Sequence, residues 1–419
     1  MNMKIGQVVR QYGIPVNSLY FYINDGLLVP PKRNKQYVFD ERTIEDLEWI
    51  LELKEMKFPL KTIHRLLSLR RISNFCSLED REERERIFRQ QDESLMREEM
   101  EVSHARRSIH AKLAAFTRDN QQSFQTGVPL RSLDLLCCPH CNAELMLDDA
   151  RMNQRYVFEA KLSCRCGYAA KIKDGILQTQ NINTSIYDKP DTTRELYRDL
   201  PSKTLSLFEQ SYRWLENKME HIPHGKVWVE GYVNAWFFFH NHIDLLAKND
   251  TLIVLDKFPE TLLAYKRVIE SQKPDCSILY VADASMTPPL KKGIIDCSMD
   301  FFATNEHNFY HPDLYLDRIR PYLKEQSLLL GVYFHFKKGK QSIQKLLKDY
   351  PEASCNNFNE HWFMESVKQH FKITDTEDCG FSVNSGENLG LGFHVPGEEL
   401  HLQPYFATVK HSFEKNTDI

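Results

Sequence analysis

The alternation of apolar and polar positions at the start of the chain predicts two short helices. Residues 4–13 place Ile5, Val8 and Val9 on one face of an amphipathic helix. A Gly-Ile-Pro turn ends this helix, and the run VNSLYFYI at residues 16–23 begins a second one. Two short helices joined by a tight turn that contains glycine form a helix-turn-helix unit, whose second helix fits the major groove of DNA.

A basic, extended segment follows the second helix. The run GLLVPP at residues 26–31 leads into KRNKQYVF at residues 32–39. An extended segment with this charge suits a β-wing that lies against the phosphate backbone. The first forty residues therefore predict a DNA-reading head.

In these stretches the sequence resembles the N-terminal domain of the MerR family of transcriptional regulators. The matching stretches are IGQVVRQYGIPVNSLYFY, DGLLVPPKR and QYVFDERTIEDLEWILELKEMKFPLKTIHRLL, which together cover about the first seventy residues. The sequence departs from the family pattern at Tyr20, where the family usually has Arg, and at Val38-Phe39, where Arg-Tyr is usual. The loss of an Arg that contacts the DNA backbone bears on DNA affinity and not on the fold.

The resemblance implies a function at promoters. It predicts binding to double-stranded promoter DNA and distortion of the duplex, so that promoter elements are realigned or blocked and RNA polymerase is affected indirectly. We expect Asn17, Ser18 and Tyr20 to face the groove, and Lys32, Arg33 and Lys35 to hold phosphates. The full set of predicted DNA-contacting residues is Asn17, Ser18, Tyr20, Tyr22, Lys32, Arg33, Lys35 and Tyr37.

A highly charged stretch from residue 78 to about 119 predicts one long helix. It is almost free of Gly and Pro, and apolar residues recur in it every seventh position. These apolar residues are Phe88, Leu95, Val102, Ile109 and Phe116. A two-helix seam needs a second apolar position in each heptad, and here that position is mostly polar. It is occupied by Gln91, Glu98, Ala105 and Lys112. Such a helix suits either a two-helix seam or a solvent-facing helix packed on its own C-terminal domain. The MerR resemblance implies an antiparallel dimer helix, so we predict a homodimer.

Ten cysteines in a chain without a secretory pattern favour metal binding or free thiols over disulfides. Four of them form two closely spaced pairs, Cys138 with Cys141 and Cys164 with Cys166. Two tight turns of this kind bring four thiolates to one tetrahedral ion, so we predict a structural zinc ribbon. Four reduced thiols or a redox pair are the alternatives, and Cys137 competes with Cys138 as a ligand. The ribbon resembles the zinc modules that precede certain rRNA methyltransferase domains and end in I-x-D-G-I, here IKDGI at residues 172–176.

From about residue 187 onward, apolar strand-like runs alternate with helical stretches. This alternation predicts a doubly wound parallel sheet. The predicted strands are Lys226–Glu230, Thr251–Asp256, Ser277–Val281, Ile294–Met299 and Ser327–Tyr333. The predicted helices are Phe237–Ala247, Pro259–Ser271, Pro312–Lys324 and Ser342–Asp349. A final antiparallel pair near Gly380–Val383 and Leu389–His394 is expected to close one edge.

This order resembles a class I S-adenosylmethionine-dependent methyltransferase domain, with departures at the cofactor loop. Glu230 fits the acid of the first strand, Asp256 the acid that would hold ribose hydroxyls, Asp283 the position near adenine, and Asp296 the motif of the fourth strand. The family's glycines are replaced by Tyr232, Asn234 and Trp236, and only the off-register Gly231 remains. Bulky side chains fill the space that these glycines leave open, so we expect the scaffold to persist without the cofactor cradle.

The altered loop still lies where doubly wound folds bind ligands. The predicted ligand pocket consists of Glu230, Gly231, Tyr232, Asn234, Trp236, Asp256 and Asp283. In the alternative interpretation, Asp256 and Asp283 cap the turns that follow their strands and the aromatic residues belong to the core. S-adenosylmethionine is the cofactor that the resemblance implies, and the missing glycines argue against its binding.

Charge and hydropathy limit the partners. Residues 1–75 hold twelve Lys and Arg against eight Asp and Glu, so a net charge of +4 lies there and −8 in the remainder of a chain whose total is −4. No apolar run approaches the length needed to cross a membrane, and no secretory signal is present, so we expect a cytoplasmic protein without a membrane partner.

The sequence as a whole predicts a multidomain α+β protein. Its predicted parts are a winged helix-turn-helix at residues 1–75, a coiled-coil dimerisation helix at 76–119, a zinc ribbon at 133–178 and a Rossmann-like, doubly wound α/β domain at 187–419. We expect a homodimeric transcriptional regulator whose last domain senses an unknown small-molecule effector or a partner. The alternatives are an active methyltransferase delivered to nucleic acid by its head, and an architectural protein that only recruits partners.

Overall fold

The computed structural model describes residues 2–119 and 125–410, with the backbone alone over residues 114–119. The chain forms two compact units that divide after residue 120. No helix among the described residues combines the length and the apolar character that a membrane span requires.

The first unit contains a three-stranded sheet and five helices. Its elements are β1 (Met3–Lys4), α1 (Ile5–Tyr12), α2 (Val16–Asn24), β2 (Lys32–Arg33), β3 (Gln36–Phe39), α3 (Glu41–Glu55), α4 (Leu60–Ser73) and α5 (Leu78–Asp119). Gly13 ends α1 with a φ of 64°, a left-handed conformation that glycine adopts without strain. Asp40 caps α3 by accepting a hydrogen bond from the Thr43 N–H at 2.9 Å. The two-helix start and the hairpin thus follow the predicted order.

One ion pair fixes the loop between α2 and the hairpin. Arg71 on α4 pairs with Asp46 on α3 at 2.8 Å. The same guanidinium donates to the carbonyl oxygens of Gly26 at 3.1 Å and Leu27 at 2.6 Å. Because one planar group satisfies a carboxylate and two carbonyls, it sets the position of the wing relative to the helices.

Helix α5 is 42 residues long, about 63 Å at 1.5 Å per residue. Its first turns pack on the head: Ile87 is buried, and the Phe88 ring lies 5.0 Å from the Phe58 ring. Further along, Val102 and Ile109 are 55% and 59% exposed. The helix was predicted correctly, but Phe88 belongs to the head's own core. Phe116 lies outside the residues whose side chains are described.

The second unit is built on one 13-stranded sheet. Its elements are β4 (Val128–Pro129), β5 (Met146–Met152), β6 (Tyr156–Ser163), β7 (Ala169–Lys173), β8 (Ile176–Gln178), α6 (Ser202–Met219), β9 (Val227–Gly231), β10 (Thr251–Asp256), α7 (Pro259–Gln272), β11 (Ser277–Ala282), β12 (Ile295–Phe301), α8 (Ala303–His307), α9 (Tyr315–Ile319), β13 (Leu323–Phe336), α10 (Lys340–Asp349), α11 (Glu360–His370), β14 (Phe371–Thr376), β15 (Phe381–Ser382) and β16 (Leu400–Val409). Strands β9 to β13 are parallel, whereas β16 is antiparallel to β13 and to β14.

The strand order defines the fold of this unit. Across the sheet the order is β11, β10, β9, β12, β13, β16, β14. Counted along the chain from β9, and leaving aside the short β15, this is 3-2-1-4-5-7-6, the order of the class I methyltransferase fold. Strand β8 pairs in parallel with β11, so the ribbon strands β4 to β8 continue the same sheet. Apolar clusters cover both faces of it.

Two predicted helices are wrong in extent. Residues 237–247 form two short 3₁₀ turns, because the Glu230 carboxylate binds the N–H groups of Phe238 and Phe239 and fixes the backbone there. The helix predicted at residues 312–324 shortens to α9 and a 3₁₀ turn that contains Pro321, after which β13 begins.

The predicted closing pair of strands is also corrected. Phe381–Ser382 is a strand, but its partner is β16, and residues 389–394 form turns. Sequence reasoning missed β16 because Pro404 lies inside it, and proline normally argues against an inner strand. Here Pro404 falls between the stretch that pairs with β15 and the stretch that pairs with β14, and its carbonyl still accepts a hydrogen bond from the Glu377 N–H at 3.1 Å.

Candidate functional sites

Helix α2 presents the predicted groove-facing residues on its outer side. Asn17 is exposed, Ser18 is half-buried and Tyr20 is 44% exposed. The adjacent Phe21, which sequence reasoning did not select, is 49% exposed. Tyr22 corrects the prediction: it is buried in the head, and its hydroxyl accepts a hydrogen bond from Lys54 Nζ at 3.0 Å. The structure therefore gives Tyr22 a place in the core and not at the surface.

The wing carries the predicted cations. Lys32, Arg33 and Lys35 are exposed on and beside the β2–β3 hairpin. Asn34 and Lys35 have φ values of 50° and 64°, which suits a tight turn between twisted strands. Lys32 Nζ lies 4.7 Å from the centre of the Tyr37 ring, so the aromatic face helps to position this charge.

Four cysteines meet on two turns at one end of the ribbon. The ligand atoms of Cys138, Cys141, Cys164 and Cys166 all lie within 4.8 Å of one another. The first turn closes through the Asn142 N–H and the Cys138 carbonyl at 2.9 Å, the second through the Gly167 N–H and the Cys164 carbonyl at 2.9 Å. Four sulfur atoms at this spacing can hold a metal ion and are the usual ligands of structural zinc.

The structure selects Cys138 over its neighbour Cys137. The Cys137 N–H donates to the Pro289 carbonyl, and its thiol lies outside the cluster, where burial raises its pKa. Burial alone would also raise the pKa of Cys138. Hydrogen bonds from the N–H groups of Cys141 and His140 outweigh burial and lower that pKa to about 7. These N–H groups stabilise the thiolate form that a metal ligand takes.

The predicted ligand-pocket residues do come together at the carboxyl ends of β9, β10 and β11, but most of them bind parts of the chain itself. Glu230 is fully buried, and its carboxylate accepts from the Phe238 N–H at 2.5 Å and the Phe239 N–H at 3.1 Å. Burial raises the pKa of Glu230 to about 8. At Gly231 a Cβ atom would overlap the hydroxyl of Tyr315, so glycine is required by the close approach of that ring.

Tyr232 occupies the place of the family's first lost glycine. Its φ is 55°, in the left-handed region that glycine would adopt without strain. The side chain is buried, and its hydroxyl makes a 2.6 Å hydrogen bond with His307 Nδ1. Trp236 is half-buried and donates to the Tyr212 hydroxyl at 2.7 Å, so it belongs to the core.

Both predicted nucleotide-binding acids cap turns. Asp256 is fully buried and accepts from the Asn234 N–H at 2.7 Å and the Phe258 N–H at 2.9 Å. Asp283 accepts from the N–H of Ser285 at 2.8 Å and from its hydroxyl at 2.5 Å. The alternative interpretation of these two acids as turn caps is the one that the contacts support.

A segment between β8 and α6, residues 179–201, crosses this edge of the sheet, and we name it the strap. The side-chain amide of Asn234 holds it: the amide oxygen accepts from the Asp191 N–H at 2.8 Å, and the amide nitrogen donates to the Lys189 carbonyl at 3.2 Å. Arg194 of the strap donates in return to the Asn234 carbonyl at 2.7 Å.

A buried ion cluster lies beneath the strap. Lys257 Nζ is 2.5 Å from Asp188 of the strap and 2.9 Å from Glu306 of α8. It also lies 4.3 Å from the centre of the Tyr310 ring and 5.2 Å from that of Tyr232. Sequence reasoning missed this cluster because its members are far apart in the chain and belong to no motif.

These contacts decide the fit of S-adenosylmethionine. The acid that would hold ribose hydroxyls is engaged by two backbone N–H groups, and a tyrosine ring replaces the glycine that would let the cofactor approach. Asn234 and Lys257, both buried, tie the strap over the same edge. The residues present do not fit this cofactor.

The head matches a known family of DNA-binding domains. A small winged helix-turn-helix unit defines a class of DNA-binding domains. The family model described as "MerR HTH family regulatory protein" matches residues 3–69, so this part of the chain is a MerR-type domain. No curated protein sequence matches the chain.

Solved structures resemble the second unit only distantly. A SAM-dependent methyltransferase from Aquifex aeolicus is 11% identical with a TM-score of 0.37, covering 53% of this chain and 100% of that one. A geranyl diphosphate C-methyltransferase from Streptomyces coelicolor A3(2) is 7% identical with a TM-score of 0.38, covering 56% and 89%. A putative sarcosine dimethylglycine methyltransferase from Galdieria sulphuraria is 12% identical with a TM-score of 0.36, covering 48% and 85%. We base the fold assignment on the strand order and draw nothing about activity from these similarities.

We expect the full-length protein to hold one zinc ion per chain and Cys138→Ser to lose it, because a structural site needs all four ligands. Cys137→Ser is the matched control, one residue away and outside the cluster. Metal analysis of the purified variants by mass spectrometry measures the zinc content. Equal zinc content in the two variants would contradict the proposed ligand set.

Proposed function

We propose that this protein is a dimeric MerR-type transcriptional regulator whose second unit senses a small molecule or a partner without catalysing methyl transfer. The observation that carries the proposal is the MerR domain at residues 3–69, which presents a helix face and a basic wing to solvent. Promoter DNA is the primary partner, and RNA polymerase is affected through the distorted duplex.

The surface of the head supports two kinds of contact, one with base edges in the major groove and one with the phosphate backbone. The exposed side of α2 offers polar and aromatic side chains for base edges, as in other helix-turn-helix units. The wing offers three cations at its tip, where they meet phosphates without reading sequence. The contacts assigned to Asn17, Ser18, Tyr20 and the wing are part of the proposal.

The exposed apolar line of α5 supports a homodimer. Val102 and Ile109 are two heptad positions of one line, and Leu113 lies one turn further and is 53% exposed. Apolar residues on a long helix with charged flanks are stabilised when a second such helix covers them. Two heads are also needed to read a near-palindromic site, because a single head reads few bases.

The closed edge of the second unit supports a sensor or partner role over catalysis. Tyr232, Asp256 and Lys257 are buried and satisfied by the protein itself. An effector that binds here must replace contacts of the strap, and such replacement is a physical means of coupling binding to conformation.

The active methyltransferase is the second candidate function. It is favoured by the strand order and by the retained acids at the ends of β9 and β10. The contacts of those acids oppose it. Cofactor binding therefore decides between the two functions.

Arg33→Ala is expected to weaken binding to every DNA duplex and to lower the salt dependence by about one unit of slope, since one phosphate contact is lost. Fluorescence anisotropy with duplexes of different sequence, at several salt concentrations, measures both quantities. Arg107→Ala on the exposed part of α5 is the control and should leave both unchanged. An unaltered slope in Arg33→Ala would remove this residue from the interface.

Replacing Val102 and Ile109 together by Glu is expected to convert the dimer to monomers, because buried charges in an apolar seam are strongly unfavourable. Sedimentation velocity measures the mass of the assembly. The control, Ser103→Glu with Arg107→Glu, places two acids on the same helix away from the apolar line. If the Val102/Ile109 variant and the Ser103/Arg107 control sediment as assemblies of the same mass, there is no seam at Val102 and Ile109.

Calorimetric titration of S-adenosylmethionine into the zinc-loaded dimer is expected to show no binding tighter than about 10 μM, or about −7 kcal/mol. The physical reason is that backbone N–H groups and the Tyr232 ring occupy the cofactor's contacts. Asp256→Asn is the control. If the unaltered protein binds S-adenosylmethionine more tightly than about 10 μM and Asp256→Asn abolishes that binding, the carboxyl edge of the sheet is a cofactor site and the enzyme is favoured.

A further inference from the structure

We propose that the second unit carries its own contact for the phosphate backbone of duplex DNA, in a basic groove at the amino ends of β10 and β11. The groove has a volume of about 660 Å³ and lies between these strand ends and the turn of the β5–β6 hairpin. Its lining includes four cations, Arg131, Arg155, Lys248 and Lys273, and one acid, Asp275. The amino ends and the carboxyl ends of parallel strands lie at opposite edges of a sheet. The groove is at the amino edge, so it is remote from the closed carboxyl edge beneath the strap.

Three cations of this groove, Arg131, Arg155 and Lys248, form no ion pair with a described residue. Over residues 2–119 and 125–410, the ion pairs within 4.0 Å include none formed by Arg131, Arg155 or Lys248. Lys273 directly follows α7, where a cation stabilises the negative end of the helix dipole, so we do not count it as a ligand group. Three exposed cations therefore remain for a ligand.

A second groove at the amino ends of the strands shows the contrast. It has a volume of about 550 Å³ and is lined by Lys226, Lys324, Asp296 and Glu325 among others. There the Asp296 carboxylate lies 2.7 Å from Lys324 Nζ and 3.9 Å from Lys226 Nζ, so the two charges are compensated within the protein. No described carboxylate compensates Arg131, Arg155 or Lys248 of the basic groove in this way.

Arg131 is held in position for a ligand. Its Nη2 donates to the backbone carbonyls of Lys248 at 3.1 Å and Asp250 at 3.2 Å. A guanidinium has five N–H donors, so these two bonds fix its plane and leave three donors for phosphate oxygens. A side chain positioned in advance loses less conformational entropy on binding.

The distribution of the cations suits an extended polyanion. Arg131 lies just after β4, Arg155 in the β5–β6 turn and Lys248 in the loop before β10, so the charges come from three separate elements. The half-buried ring of Tyr156 lies among them. Because the head of the same chain is a DNA-binding domain, duplex DNA is the polyanion that we assign to the groove.

The test uses full-length, zinc-loaded protein in which Arg33→Ala and Lys35→Ala weaken the head. Binding of a labelled duplex of arbitrary sequence is followed by fluorescence anisotropy between about 50 and 200 mM salt. Adding Arg131→Glu, Arg155→Glu and Lys248→Glu is expected to weaken the remaining affinity at least about tenfold and to lower the salt slope by about 2 to 3, since each phosphate contact contributes about 0.9. This readout does not depend on the function proposed for the head.

A matched triple variant controls for net charge. Lys203→Glu, Arg213→Glu and Lys348→Glu remove the same charge from exposed positions outside the groove and should change the affinity less than about threefold. Because Arg131 also bonds to the backbone, the double variant Arg155→Glu with Lys248→Glu serves as a second test that leaves those bonds in place.

Three results would overturn the proposal. The groove and control variants lose equal affinity, or the head-weakened protein shows no duplex binding that the groove variant can reduce. Alternatively, inorganic triphosphate or a single strand of the same length binds the groove more tightly than the duplex, which would assign the site to a compact polyphosphate or to single strands.

Discussion

A single buried ammonium group, that of Lys257, governs how the carboxyl edge of the large sheet is closed. A charge removed from water is tolerated only when it is paired, and Lys257 finds partners in Asp188 of the strap and Glu306 of α8. Burial alone would lower its pKa, but the two carboxylates outweigh burial and raise it, so the group stays charged. Removing one partner from such a cluster costs about 3–5 kcal/mol. The strap is therefore bound to the sheet by electrostatic necessity and not by apolar contact alone.

This constraint explains how a methyltransferase-like scaffold persists without its cofactor loop. In a doubly wound sheet the carboxyl edge is a crevice that a ligand normally fills. Here the Tyr232 ring, the strap and the Lys257 cluster fill it, and the polar groups that a nucleotide would satisfy are satisfied internally. The apolar clusters on the two faces of the sheet do not depend on that edge, so the fold is retained while the site changes.

The sequence predicted the parts of this molecule that rest on local pattern. The buried strand β10 was predicted at its observed bounds because its apolar run is flanked by polar residues. The cysteine cluster followed from spacing, and the replaced glycine predicted a bulky side chain at Tyr232, which the structure buries at that edge. What depends on tertiary contact was missed. Helix α6 and the strap precede the first strand of the fold without a motif, and nothing local links Asp188, Lys257 and Glu306.

The continuous sheet also joins the cysteine cluster to the closed edge by one short physical route. Strand β8 is the last ribbon strand, pairs with β11 and leads directly into the strap. The Thr179 N–H donates to the Ala282 carbonyl, and Asn181 bonds to Asp283 and Ser285 where β11 ends. A displacement of the strap therefore acts on β8 through covalent bonds and on β11 through hydrogen bonds, without crossing a domain interface. The strap and the ribbon therefore share one strand pair, β8 with β11, and this is the element through which the proposed sensor would couple the two.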